Sequence, residues 1–454
     1  MISPARLAAY DVLRAVNSGR SDLPTALARV RPRLADERDR ALAAEIATGT
    51  LRWQGAFDLV IAAFAARPVA KLDPEVVDVL RMTAFQLLHL DRIPASAAVN
   101  DAVNLVSKAG KRSASGLVNA VLRRISRERN RLPLPPEPPA SGRDVVADIA
   151  YLSGALSHPE WLVRRWLDRY GFAAVRAWAM FNNRPAALSL RVNTLKTSRE
   201  ALSILLAQCG VATEPARFAP DALVVREGNP LLTPIAGDGL FIVQDEASQL
   251  VALVAAAAPG ERVLDACASP GGKTTAMAAA MGNEGLIVAT DVRGRRVDLL
   301  SRAVEAAGAT CVRVVQADAA GVLPFAARFD CVLLDAPCSG LGTLRRDPEI
   351  RWRRTEASLE PLARTQVSLL ERAADVLRPG GRLIYATCSS EPDENEAVLS
   401  RFLAARDDFS VQPVRLPAPL AGFMTPEGYF RSFPFRDELE AFFAAMVVKT
   451  KDLQ

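Results

Sequence analysis

Residues 262–291 read RVLDACASPGGKTTAMAAAMGNEGLIVATD, and the fold turns on them. An apolar run ends at Asp265, a Pro-Gly-Gly turn follows, an alanine-rich helix opens at Lys273, and a second apolar run ends at Asp291. Strand, turn, helix, strand is the repeating unit of a parallel sheet. Downstream, helix 294–307, CVRVVQAD at 311–318, FDCVLLDAP at 329–337, helix 360–378 and GRLIYATC at 381–388 continue the alternation, with a further helix from about 393. Upstream, GLFIVQ at 239–244 reads as a strand feeding a helix from Asp245. The pattern predicts a doubly wound, mostly parallel sheet with helices on both faces, closed by an antiparallel pair from FRSFPF and FFAAMVVK.

The first 130 residues differ in texture. Apolar residues recur at helical spacing in ARLAAYDVLRAV, RALAAEIATGTLRW, PEVVDVLRMTAFQLLHL and ASAAVNDAVNLVSKA, with Pro74 as a start signal and Pro94 as a stop. The proline-rich RNRLPLPPEPPASG then reads as a stiff linker. Residues 145–183 are helical again; Trp161, Trp166, Tyr170 and Trp178 on them favour packing over a base-stacking platform. AALSLRVNT as strand, SREALSILLAQCG as helix and short strands near 213–226 suggest a small α+β module. The expected multidomain division is an all-α domain at 1–132, a linker at 133–144, a small α+β RNA-binding module at 145–236 and an α/β Rossmann-like domain at 237–454.

Composition sets bounds on function. At 454 residues, half hydrophobic and a quarter charged, the chain suits two or three globular domains. It lacks both an 18-residue apolar run and a secretory leader pattern, so the cytoplasm is expected, with no membrane association. Six scattered cysteines without a CxxC, and only His89 and His158, argue against a disulfide framework or a metal site. Residues 1–132 hold 21 Lys and Arg against 13 Asp and Glu, whereas the remainder is slightly acidic. A basic front end suits a polyanion such as RNA, although a solvated helical surface explains the charge equally well.

The candidate chemistry lies at the carboxyl ends of the predicted strands, where open α/β sheets bind ligands. Asp265, Asp291, Asp318, Asp335 and Thr387 mark those ends. CASPGGK is neither a Walker A loop, which would need glycine at position 267, nor a GxGxxG fingerprint. Asp291 lies 20 residues after Gly271, where a carboxylate binds ribose hydroxyls, and Asp318 could reach an adenine amine. This favours S-adenosylmethionine over NAD. Cys338 in DAPCSG and Cys388 in YATCSS follow two such strand ends. A thiolate adding to carbon 6 of a pyrimidine makes carbon 5 an enamine carbon able to take a methyl group. Lys273 and its helix could favour thiolate formation, a second thiol could assist release, and Asp335 could bind ring nitrogen 3 or the exocyclic amine. Cys209, Cys311 and Cys331 read as inert fillers.

DACASPGGKTT, FDCVLLDAPCSGLGTLRRDPEIRW and GRLIYATCSSEPDENE resemble the signature blocks of the RNA cytosine-carbon-5 methyltransferases of the Sun/NOL/NOP family. FQLLHLDRIPASAAVNDAVNL and GLVNAVLRRI resemble a NusB-like RNA-binding domain, and the combination is similar to the 16S rRNA methyltransferase B family (RsmB, also called Fmu). The resemblance implies S-adenosylmethionine as cofactor and a cytosine of 16S rRNA, naked or in early assembly, as substrate of a monomeric enzyme. It implies cofactor contacts at Cys267, Ala268, Ser269, Pro270, Gly271, Gly272, Lys273, Asp291, Asp318 and Asp335. It makes Cys388 the nucleophile and Cys338 the promoter of product release, with Asp335 and Lys273 beside them. Two departures stand out: Ser269 where alanine is usual, and FPFRDELEAFF where the family has an Asp-Gly-Phe-Phe run, which bears on the turn at 437–441.

Arg345, Arg346, Arg351, Arg353 and Arg354, just past Cys338, are candidate phosphate contacts around a target base drawn from its stack. Arg123, Arg124, Arg127 and Arg131 could extend that footprint, and Arg191 and Asn193 are read as pointing toward the same region. The competing readings are a tRNA cytosine-carbon-5 methyltransferase and a non-catalytic NusB-like RNA-binding factor.

Overall fold

The structure, a computed structural model, describes residues 2–139, 141, 144–325 and 329–450. The expected linker at 133–144 therefore falls partly outside the described residues, at 140, 142 and 143. The chain forms two compact units, Met1–Pro185 with Leu344–Glu356, and Ala186–Thr343 with Ala357–Gln454.

The first unit is helical: α1 (Pro4–Asn17), α2 (Leu23–Val30), α3 (Glu37–Arg52), α4 (Gln54–Ala65), α5 (Pro74–His89), α6 (Ala95–Lys108), α7 (Ser115–Arg127), α8 (Val145–Ala150) and α9 (Glu160–Asn183). Asp22 and Asp36 cap α2 and α3 by accepting from first-turn amides, and Pro74 occupies the first turn of α5. Apolar residues spaced by three and four supply the core: Ala9, Val12, Leu13 and Val16 on α1, and Val118, Val121, Leu122 and Ile125 on α7. Gly171 breaks α9 at a φ of 72°. Trp166 and Trp178 stack 4.2 Å apart and are fully buried, so these rings pack rather than wait for bases.

Residues 344–356 belong to this helical unit although they lie in the middle of the α/β sequence. The cause is the Arg351 side chain, which is 0% exposed. Its guanidinium donates to the carbonyls of Arg52, Ser157, Asn182 and Leu344 and to Asn183 Oδ1, over 2.9–3.4 Å. Burial pulls its pKa down to about 9, with the Arg52 charge adding to the effect. Trp352 Nε1 donates to Leu51 O at 2.7 Å, and the buried Glu349 accepts from the Leu23 amide at 3.0 Å. The expectation that Arg351 touches RNA phosphate is corrected here, because every printed contact of its guanidinium is internal and no part of it reaches solvent.

The second unit holds two sheets. β1 (Ser189–Val192), β2 (Ala212–Pro215), β3 (Ala222–Glu227) and β4 (Phe241–Val243) form an antiparallel sheet of order β2-β3-β1-β4, with α10 (Arg199–Gln208) beside it. β4, read from sequence as the first strand of the parallel sheet, pairs instead with β1, setting Phe241 opposite Val192. Apolar alternation makes a strand here but does not name its partner. Likewise, α9 lies in the helical unit and β1 in the other, so the span 145–236 is shared between the two units.

The large sheet has the order β10-β12-β9-β8-β5-β6-β7, with β11 paired to β12. Its members are β5 (Arg262–Asp265), β6 (Leu286–Asp291), β7 (Val312–Gln316), β8 (Phe329–Asp335), β9 (Leu377–Thr387), β10 (Phe409–Gln412), β11 (Phe430–Arg431) and β12 (Phe443–Lys449). β5 to β9 run parallel, whereas β12 is antiparallel to β9, β10 and β11. The expected closing pair is thus β11 with β12. Alternate residues feed two cores, Leu264, Val332, Leu334 and Leu383 on one face, and Val263, Cys331, Leu333 and Ile384 on the other. Both faces are covered, which is why these strands read as continuous apolar runs. The connecting helices are α11 (Glu246–Val254), α12 (Gly272–Ala280), α13 (Gly294–Ala307), α14 (Leu359–Asp375) and α15 (Glu396–Ala405).

Candidate active site

Adjacent parallel strands bring the two thiols together. β8 ends at Asp335 and β9 at Thr387, and their registers pair Asp335 with Ala386, so the turns that follow leave the same sheet edge side by side. Cys338 Sγ and Cys388 Sγ lie 3.3 Å apart, and both side chains are half-buried. The turns are also joined through the backbone, since the Gly342 amide donates to Cys388 O at 2.9 Å. Gly342 has no room for a side chain: a Cβ there would overlap Ala441 O and come within 2.7 Å of Cys388 O. The C-terminal block that departs from the family pattern is therefore packed against the thiol turns, with Ala441 N donating to Gly342 O at 3.0 Å.

The hydrogen bond to Cys388 is the main force holding the Cys338 thiol far above its ordinary pKa, followed by burial and by the Glu394 charge. Lys273 Nζ and Asp335 Oδ2 form an ion pair at 2.5 Å, with the lysine 11% and the aspartate 30% exposed. Burial opposes the Lys273 charge, but Asp335, Cys388 and Asp265 outweigh it and raise its pKa. The ammonium therefore stays charged beside Asp335 and within electrostatic reach of Cys388. Cys267 and Cys331 are pushed up to about 12 chiefly by burial, as expected of thiols that do not react.

A cleft of about 310 Å³ adjoins this edge, lined by Gln244, Asp265, Cys267–Pro270, Gly272, Lys273 and Asp335 among others. Gly271 takes a φ of 104°, a conformation that suits glycine, and starts α12. Asp265 is fully buried; Oδ2 accepts from Thr274 Oγ1 at 2.7 Å, while Oδ1 has no hydrogen-bond partner among the described residues. Burial raises its pKa to about 7. An orphaned carboxylate oxygen beside a glycine turn suits a ligand that carries ammonium or amine donors. Asp291 is the last residue of β6, accepting from the Arg293 amide at 3.1 Å, but it is not among the cleft lining. Asp318, two residues past β7, is exposed and accepts from the Ala320 amide at 2.9 Å.

The remaining sequence-predicted residues are dispersed. Arg353 is exposed and donates to Ser21 O at 3.3 Å, and Arg345 lies 4.0 Å over the Phe181 ring. Arg346 and Arg354 are half-buried. On α7, Arg123 and Arg127 border a polar groove of about 750 Å³ with Ser96, Asn100 and Asn119, while Arg124 pairs with Glu128 at 3.0 Å. Arg191 and Asn193 do not face this set. Arg191 is 5% exposed and donates to Gln244 Oε1 and Thr275 Oγ1, and Asn193 donates to Gly239 O and Ala307 O. They tie the small sheet to α12 and α13.

Sequence reasoning missed Glu394, which is 0% exposed. It accepts from the Ser339 amide at 2.8 Å, Ser339 Oγ at 2.5 Å, Ser389 Oγ at 2.5 Å and Gln366 Nε2 at 3.0 Å. It also missed Asn395, which holds the turn after β9 through Thr387 Oγ1 and Ser389 O. The signal present was an Asp/Glu-rich run, PDENE, directly after TCSSE.

Comparison with known proteins settles the family. Residues 252–448 match the model of the 16S rRNA methyltransferase RsmB/F family, 3–127 match the NusB family, and 158–231 match an RsmF/B-like ferredoxin-like domain. Ribosomal RNA small subunit methyltransferase B of Pseudomonas putida is 36% identical over 88% of both chains, and that of Citrobacter koseri is 31% identical over 98% of both. The chain belongs to the RsmB family of methyltransferases. Like that family, it is an S-adenosylmethionine-dependent RNA methyltransferase. The solved structure of PH0851 matches 99% of each chain with a TM-score of 0.80 at 28% identity. A methyltransferase homologue from Pyrococcus horikoshii matches 67% of this chain and 99% of its own, with a TM-score of 0.58 at 29% identity. The residues fit the cofactor of the RsmB family, since the Asp265 oxygen and the close backbone approach at Gly271 and Gly272 meet the needs of a nucleoside carrying an amino acid. Among the described residues, no helix is long and apolar enough to cross a membrane.

Proposed function

We propose that this RsmB-family enzyme methylates carbon 5 of a cytosine in 16S rRNA through a transient bond between Cys388 and the base. The observation that carries the reading is the 3.3 Å contact between the Cys388 and Cys338 sulfurs beside the Lys273–Asp335 pair. Cofactor binding is assigned to the Cys267–Lys273 turn with Asp291, Asp318 and Asp335. S-adenosylmethionine, when bound, supplies an electrophilic methyl group.

The protein's own groups account for the rest. Lys273 sets positive charge near the sulfur that must ionise, which favours attack by Cys388 on carbon 6. That addition breaks the ring double bond and moves its electrons toward carbon 5 and nitrogen 3. Asp335, still 30% exposed beyond its bond to Lys273, is placed to bind nitrogen 3 or the exocyclic amine as charge builds. After methylation the carbon 5 proton is lost, its electron pair restores the double bond, and the carbon–sulfur bond breaks with its electrons returning to Cys388. Cys338, held as a thiol in contact with Cys388, assists that elimination. The NusB-like span 1–132 and the small module within 145–236 are assigned to RNA docking, with Arg123 and Arg127 at the α7 groove as phosphate contacts. Naked or early-assembly rRNA and a monomeric enzyme complete the proposal.

The test uses Cys388→Ala and Cys338→Ala with labelled cofactor and 16S rRNA, and with tRNA as the rival substrate. Cys388→Ala should abolish transfer while RNA binding survives. Cys338→Ala should accumulate an enzyme–RNA adduct that resists denaturation. If Cys388→Ala yields that adduct, the two roles are exchanged; methyl transfer to tRNA alone overturns the substrate.

A further inference from the structure

We propose that Glu394 is a positioning residue whose buried carboxylate clamps the two cysteine turns together and holds their sulfurs at working distance. The proposal rests on the reading that Cys388 and Cys338 act on one base. Its geometry does not depend on which of them attacks. Ser339 directly follows Cys338 and Ser389 directly follows Cys388, and one carboxylate oxygen, Oε2, accepts from both hydroxyls at 2.5 Å. The other oxygen, Oε1, takes the Ser339 amide and Gln366 Nε2, and Gln366 also donates to the Pro337 carbonyl at 3.0 Å. Both sides of Cys338 are thus tied to one anchor on the turn ahead of α15. The same residue's backbone carbonyl accepts from the hydroxyl of Tyr385 on β9 at 2.5 Å.

An apolar residue could fill this position at less cost, because a buried carboxylate loses its hydration and Glu394 has no lysine or arginine partner among the described residues. Four donors offset that loss, and each of them belongs to a segment that positions a thiol turn. The Glu394 charge also helps to keep Cys338 protonated, so the carboxylate bears on the two sulfurs unequally. Nothing comparable holds the other cysteines: Cys331 meets only the Ala255 carbonyl, at 3.7 Å.

The variants Glu394→Ala and Glu394→Gln separate the bonds from the charge. A glutamine can keep its oxygen toward the Ser339 amide and Gln366 and turn its amide toward the two hydroxyls, which accept as readily as they donate. The first readout is geometric: closure of a Cys338–Cys388 disulfide by an azo oxidant. Each thiol loses a hydrogen, the sulfurs join, and the N=N bond is reduced to a hydrazine. The product is two mass units lighter by the loss of two hydrogens and is mapped by peptide mass. The second readout is the split of kcat from KM in methyl transfer to 16S rRNA.

Glu394→Ala is expected to slow closure about tenfold and kcat about 100-fold, as for a displacement near 1 Å, with KM for S-adenosylmethionine within about twofold. Glu394→Gln should restore both rates to within about fivefold of the parent. Closure at the parent rate in Glu394→Ala overturns the clamp, whatever happens to catalysis. If Glu394→Gln is as slow as Glu394→Ala in both readouts, charge rather than tethering is the cause, and the clamp is again overturned. Slow closure with kcat unchanged leaves the clamp standing and removes the cooperation of the two thiols instead. Should Glu394→Ala lose its folded circular dichroism, Ser339→Ala with Ser389→Ala removes only the two hydroxyl bonds, and the same slowing of closure is required of it.

Discussion

Replacing Arg351 by methionine gives the sharpest test of how residues 344–356 are held. The aliphatic stem is kept, so little packing volume is lost, while five acceptors lose the guanidinium: the carbonyls of Arg52, Ser157, Asn182 and Leu344, and Asn183 Oδ1. Each bare buried acceptor costs about 1 kcal/mol at the low end, or about 5 kcal/mol for the set. Removing a buried charge with no carboxylate partner returns part of that, because burial already depresses this guanidinium to about 9. The net loss is therefore about 3 kcal/mol, which lowers Tm by about 6–12 °C for a unit of about 200 residues. Scanning calorimetry reads the shift, and hydrogen exchange should show faster exchange over 344–356. The exposed Arg353→Met is the control, with a change within about 0.5 kcal/mol. An unchanged Tm for Arg351→Met, with weaker RNA binding and a shallower salt dependence, would return Arg351 to the phosphate contacts and refute the structural reading.

Gly342→Ala should cost about 1–3 kcal/mol and suppress methyl transfer, because the new Cβ meets backbone oxygens of Ala441 and Cys388 that cannot rotate aside; an active, fully stable variant would show that the two turns need not touch. Asp265→Asn should stabilise the unliganded protein in a pH-dependent way. The folded carboxyl, raised to about 7, lies above its model value of 3.8, so it withdraws no stability at low pH and progressively more as pH rises toward 7. The Tm gain of the asparagine variant should therefore be absent near about pH 4 and full above about pH 7, while S-adenosylmethionine affinity by calorimetry falls about tenfold or more; a pH-independent gain counts against the buried ionisation. Arg123→Ala and Arg127→Ala should each lower the slope of log affinity against log salt by about 1 in filter binding with 16S rRNA; unchanged slopes exclude the α7 groove from the RNA path.

Much of the catalytic unit was legible because parallel sheets write their active edges into the sequence. Asp265, Asp291, Asp335 and Thr387 each end an apolar run, and each is the last residue of its strand. The meeting of Cys338 and Cys388 followed once their strands were adjacent. What stayed hidden depends on partners remote in sequence. RRDPEIRWRR looks like a phosphate-binding patch by charge alone, yet the acceptors of Arg351 come from residues 52, 157, 182 and 183 as well as from Leu344. β4 has a strand's pattern but pairs within the small sheet, and periodicity carries no information about which neighbour accepts the edge. Glu394 was overlooked because it sits among Glu391, Asp393 and Glu396, and composition cannot tell which acid of such a run turns inward.

The excursion of residues 344–356 has a consequence for synthesis. The ribosome completes the first 185 residues long before it makes the segment that finishes their core, and roughly 170 residues lie between them. At bacterial elongation rates that gap lasts about 10–30 s. During it the Leu51 and Ser157 carbonyls wait for a tryptophan and an arginine not yet made. The front end therefore matures in two stages, and a fragment cut at residue 185 would stop permanently at the first.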